Sequence, residues 1–137
     1  RLPICRQEYM GRLSGPLLDR FDVRINVPPV HMADMMGRER GEPSNPVAAR
    51  GGDARAAQFA RQDCLNAHPA GDAVYAVATP GTEGQALLDR IADTKKLSAR
   101  GFNRILRVAR TLADLDERSR PSEENIATAI RWRDTGF

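Results

Sequence analysis

Aromatic residues are scarce, at 5% of the 137 residues. A module that stacks nucleic-acid bases on a row of rings needs aromatics interleaved with basic side chains, and no such row exists here. Lysine occurs only as Lys95 and Lys96, so arginine carries the net charge of +3. A charge that small points only weakly to an anionic partner. A GC-rich coding sequence explains the arginine preference equally well. The two cysteines, Cys5 and Cys64, lie far apart without CxxC spacing, which reads as a reduced, cytoplasmic protein. His31 and His68 have no companions at metal-ligand spacing, so no metal site is expected. No apolar run is long enough to span a bilayer, and no membrane partner is expected. A GxxxxGK[ST] phosphate loop, a nucleophile–base pair and a glutamate pair are all missing. The chain shows no complete active site. It begins with Arg1 rather than Met, which reads as a cut or processed start.

What is present divides into three parts. Residues 1–30 open with an expected helix over Pro3–Leu13, broken at Ser14-Gly15-Pro16. Leu17–Phe21 reads as a turn or single helical turn. Val23, Ile25 and Val27 then alternate with Arg24 and Asn26, the pattern of a strand that Pro28-Pro29 ends. A strand needs a sheet, and no second convincing strand follows, so its partners are expected outside this chain. Residues 31–46, with three methionines and no periodicity, read as a linker. Residues 47–137 read as a small helical bundle. Its first helix is expected over Pro46–Leu65, with Asn45 as cap and Gly51-Gly52 as a weak point. Asn66–Pro80 is ambiguous between helix and extended chain. Thr82-Glu83-Gly84-Gln85 has the form of a capping box before a stripe of Leu87, Leu88 and Ile91. Ser98 caps a helix over Ala99–Asp116, and Ser122 caps a last one over Glu123–Arg133, with Ile126, Ala129 and Ile130 inward.

The helix after Ser98 is two-faced. Phe102, Ile105, Leu106, Ala109, Leu112 and Ala113 share one side; Arg100, Arg104 and Arg107 share the other. Arg100 falls in the first turn, where the helix dipole favours anions, and its guanidinium can take a phosphate with two parallel hydrogen bonds. Pattern alone favours a solvated arginine face, with a stripe along a nucleic-acid backbone as the alternative. Arg20 is the second candidate. It sits on the turn before the strand, placed to project into a neighbouring subunit or simply to pair with Asp19 or Asp22.

The runs Arg12-Leu13-Ser14-Gly15-Pro16-Leu17-Leu18-Asp19-Arg20-Phe21-Asp22 and Leu97-Ser98-Ala99-Arg100 through Arg104 to Val108-Ala109-Arg110-Thr111-Leu112-Ala113-Asp114-Leu115 resemble the C-terminal third of magnesium-chelatase-like AAA+ ATPases. Gln58-Phe59, Leu65-Asn66-Ala67 and the closing Ala129-Ile130-Arg131-Trp132-Arg133 extend the likeness, which is nearest to the ComM-type competence branch. Val30–Pro46 and His68–Pro80 match poorly. The start reads Arg1-Leu2-Pro3 where the family often has a Cys-Thr-Pro run, which puts any cysteine-based metal site there in doubt.

The resemblance implies a mainly α chain: a helical lid bundle preceded by the last helix and strand of the α/β ATPase core. It implies that Arg20 is an arginine finger reaching the γ-phosphate of the adjacent protomer, and that Arg100 is the sensor-2 contact to nucleotide, with Arg104 beside it on the same stripe. The phosphate loop and magnesium ligands would lie upstream. ATP and Mg²⁺ are therefore expected in a full-length parent, and neither is expected to bind this chain tightly. Neighbouring subunits of a homo-oligomeric ring are the implied partners, with DNA a further candidate. The implied activity is ATP-driven DNA remodelling. The alternatives are the motor subunit of a true magnesium chelatase and a free-standing helical nucleic-acid module; the strand pattern at Val23–Val27 counts against the latter.

Overall fold

A computed structural model of the chain describes residues 15–37, 41–95 and 97–134. The expected helix over Pro3–Leu13 lies outside the described residues, as does Cys5. Among the described residues seven helices follow in order: α1 Gly15–Leu18, α2 Met32–Met36, α3 Ser44–Gln62, α4 Asp72–Ala78, α5 Thr82–Lys95, α6 Ala99–Leu115 and α7 Glu123–Asp134. Described residues contain no strand.

Helix α1 is a single turn, closed by the amides of Arg20 and Phe21 on the carbonyls of Leu17 and Leu18 at 3.0 and 3.2 Å. The strand expected at Val23–Val27 does not form. A ladder needs a second strand, and no described segment supplies one. Ile25 and Val27 stay 66% and 81% exposed. A backbone bond ties this stretch to the bundle, from the Arg24 amide to the Trp132 carbonyl at 2.8 Å. The expected linker holds the short α2, where the amides of Asp34 and Met35 reach the His31 carbonyl.

Helix α3 starts and stops earlier than the sequence suggests. Pro43, with ψ 151°, is the capping position, and Asn45 is already inside. Pro46 then falls in the first turn, where a missing N–H leaves no bond unmade. The helix ends at Asp63, which turns left-handed at φ 55° and returns its amide to the Phe59 carbonyl. Gly51-Gly52 does not interrupt it. The ambiguous Val74–Val77 stretch is helical, because Val74 and Ala78 lie one turn apart and both are buried. At α5 the Gly81 carbonyl accepts the first helical bond, from the Gln85 amide, so Gly81 rather than Thr82 holds the cap. The Gln85 side chain bonds Asp89 at 2.7 Å.

Both serine caps are present. Ser98 Oγ accepts from the Gly101 amide at 3.0 Å. Ser122 and Asn125 bond reciprocally: Asn125 Oδ1 accepts from the Ser122 amide, and Ser122 Oγ accepts from the Asn125 amide. This is a capping box with Asn in place of Glu or Gln.

Helix α6 packs against α3, α4 and α7, and α5 packs against α7. The core is Val74, Ala78, Leu88, Ile105, Leu106, Ala109, Ile126, Ala129 and Ile130. Phe102 packs at its edge and stacks on Tyr75 with ring centroids 5.8 Å apart. Gly84 lets α5 approach α7: a Cβ there would lie 3.1 Å from Pro80 Cβ and 3.4 Å from the Glu123 amide nitrogen. A buried polar knot fastens α3 to α6. Asp114 accepts two bonds from Arg61, at 2.7 and 3.0 Å, one from Asn66 at 2.8 Å, and one from Arg110 Nη2 at 2.8 Å.

Candidate functional site: an arginine hollow and the turn beside it

The first three turns of α6 border a hollow of about 250 Å³ lined by Ala70, Gly71, Arg100, Asn103, Arg104 and Arg107. The Ser98 cap fixes where α6 begins, and 3.6-residue periodicity then sets Arg100, Arg104 and Arg107 along one edge. Gly71 supplies the opposite wall. Its φ of 56° is a left-handed conformation that glycine adopts without strain. The three arginines differ. Arg100 is exposed. Arg107 donates from Nη2 to the Pro69 carbonyl, while its buried Nε has no hydrogen-bond partner among the described residues. Arg104 donates from Nη1 to the Arg20 carbonyl at 2.7 Å and to Asp22 Oδ1.

Arg104 therefore joins the hollow to the turn that carries Arg20. The carboxylates flanking Arg20 do not pair with it. Asp22 is taken by Arg104, and Asp19 by Arg133 on the last turn of α7. Arg20 is exposed, and its guanidinium has no hydrogen-bond or ion-pair partner among the described residues. Arg133 also reaches the Phe21 carbonyl at 3.5 Å. Gly101 gives it room: a Cβ at that position would lie 3.2 Å from Arg133 Nη2.

The structure thus brings Arg104 to both features, sets Arg100 at the open edge of the hollow, and leaves Arg20 projecting from a turn held at its flanks. The sequence marks Arg133 only as part of the closing run, because its partner Asp19 is 114 residues away. The small residue at Gly101 was the available signal. Among the described residues no helix is long and apolar enough to cross a membrane, and no group of three His, Cys, Asp or Glu could hold a metal ion.

Residues 41–133 match the family model described as magnesium chelatase, subunit ChlI C-terminal. The chain belongs to the magnesium chelatase ChlI family. Residues 2–35 match the accompanying model, magnesium chelatase, subunit ChlI. The bundle is the C-terminal helical lid domain of a magnesium-chelatase-like protein. Relatives include an uncharacterized protein of Mycobacterium tuberculosis, 36% identical over 135 residues, which are 96% of this chain and 27% of that protein. Competence protein ComM of Haemophilus influenzae is 32% identical over 126 residues, 91% of this chain and 25% of that protein. The uncharacterized protein YifB of Escherichia coli is 33% identical over 127 residues, again 91% and 25%. The chain spans about a quarter of the length of these relatives of the ChlI family.

Proposed function

We propose that this chain is the lid portion of an oligomeric AAA+ ATPase, in which Arg20 acts in trans as an arginine finger and Arg100 contacts nucleotide from the lid. The observation that carries the reading is the state of the Arg20 turn. Its guanidinium projects without a partner among the described residues, while both neighbouring carboxylates are occupied by arginines of α6 and α7. An arginine kept clear of its own acidic neighbours is available to a phosphoryl group of another subunit. The hollow supports the nucleotide role. Arg100 and Arg104 line the hollow with guanidinium groups, whose donors suit phosphate oxygens. Nucleotide bound there would supply the scissile phosphoanhydride, and lid arginines would orient it.

The ring is homo-oligomeric in this reading, because a finger given to one neighbour requires an equivalent finger received from another. ATP turnover drives remodelling of DNA, a proposal that rests on the ComM-type likeness of the SGPLLDRFD and VARTLADL runs. In the full-length protein carrying this chain, Arg20→Ala lowers ATP turnover by about 10³-fold or more and leaves nucleotide binding intact. Mixing that variant with subunits whose phosphate loop is disabled restores turnover, because each then supplies what the other lacks. Loss of nucleotide binding without rescue on mixing overturns the trans assignment.

A further inference from the structure

The turn around Arg20 is held by polar contacts rather than by packing. Leu17 and Phe21 are 41% and 49% exposed, so its apolar side chains anchor it weakly. The carbonyl oxygens of three successive or near-successive residues are instead capped by arginines. Arg24 Nη2 donates to Leu18 at 2.9 Å, Arg104 to Arg20 at 2.7 Å, and Arg133 to Phe21 at 3.5 Å. Two ion pairs, Arg104–Asp22 and Arg133–Asp19, complete the attachment. The clamping arginines are themselves confined: the side chain of Arg133 is 10% exposed and that of Arg104 is 19%. Arg133 is seated against Gly101, in the same helical turn as Arg100. Ion pairs between fully solvated side chains hold geometry poorly, but these start from guanidiniums already fixed by helix packing.

We propose that Arg104 and Arg133 are positioning residues, a two-point clamp through which the helical bundle sets the presentation of Arg20. The proposal rests on the finger reading of Arg20. Neither arginine touches the neighbour's phosphate in this scheme; each acts through the turn. Because Arg104 also borders the hollow, a change in how that hollow is occupied is transmitted to the Arg20 carbonyl along a single guanidinium. The finger offered to one neighbour is thereby tied to the state of the lid in the subunit that offers it.

The test uses the full-length protein and the variants Arg133→Gln and Asp19→Asn. Arg104 is left alone because it borders the hollow. Asp19 lies on the turn, outside the bundle core, so its variant keeps the test valid if Arg133→Gln fails to fold. Both are expected to lower kcat on the order of 10²-fold, the scale on which a misplacement near 1 Å acts, with nucleotide affinity unchanged. Both should also complement like Arg20→Ala. Turnover returns on mixing with subunits lacking a working phosphate loop, which supply a finger. It does not return on mixing with Arg20→Ala subunits, which have none. No recovery in the first mixture, the mark of general damage, overturns the clamp, and so does recovery in the second, the mark of an intact finger. Wild-type kcat in Arg133→Gln and Asp19→Asn, with Arg20→Ala slow, overturns the clamp and leaves the finger standing. Wild-type kcat in all three overturns both.

Discussion

Asp114 accepts hydrogen bonds from Arg61, Asn66 and Arg110 at once, and its side chain and that of Arg110 are each 1% exposed. Burial pushes its carboxyl up, but the bonds from Arg61, Asn66 and Arg110, with the charge of Arg110, outweigh that and hold it below the ordinary value of 3.8. A carboxylate depressed by folding stabilises the fold above its unfolded pKa. That contribution is lost as pH falls through the folded value. Denaturant melts should therefore show stability falling below about pH 4, with a shallower acid slope in Asp114→Asn. At neutral pH, Asp114→Ala leaves Arg110 buried and uncompensated, and about 3–5 kcal/mol of stability should disappear in urea unfolding. A loss under 1 kcal/mol (the scale of a surface pair) would mean the knot is solvated. None of this was visible in the sequence. Arg110 and Asp114 stand at i, i+4, the spacing of an exposed ion pair, and their partner Arg61 is 53 residues away from Asp114.

At the scale of elements, local rules were sufficient where the deciding partner lies within one turn. The Ser98 cap, the buried face of Ile105, Leu106 and Ala109, and the inward Ile126, Ala129 and Ile130 all follow from short-range periodicity. Ser98 is mechanistically informative because it fixes where Arg100 falls. Ser98→Ala should cost about 1 kcal/mol in thermal or denaturant unfolding, and Ser98→Gly only a few tenths. A loss near zero for Ser98→Ala would show that the Gly101 amide finds another acceptor. Local rules failed where a competing cap was available, as at Pro43 and Gly81, and where the needed partner was another strand, as at Val23–Val27. For the candidate site, the sequence indicated Arg20, Arg100 and Arg104 as residues of interest. It could not show that Arg104 bonds across 84 positions to the very turn that bears Arg20.

For the molecule as a whole, the described chain has two kinds of surface. Helices α3 to α7 enclose the core. Residues 21–36 expose Val23, Ile25, Val27, Val30, Met32, Met35 and Met36. Amide exchange should divide along this line. Core amides of α6 and α7 should be the slowest, while most amides of residues 22–30 should exchange near the rate of an open chain. Arg24 should stand out within that stretch, because its amide bonds the Trp132 carbonyl. Fast exchange at Arg24 would show that the segment is not docked on α7.

The attachment of the Arg20 turn also has a temporal side. Asp19 leaves the ribosome 114 residues before Arg133 does. At ordinary elongation speeds, about 5–20 residues per second, that is a wait of roughly 6–23 s. Through that interval the turn has no α7 to fasten it. A nascent chain that stalls short of α7 thus carries the Arg20 turn without the Arg133–Asp19 pair that fastens it.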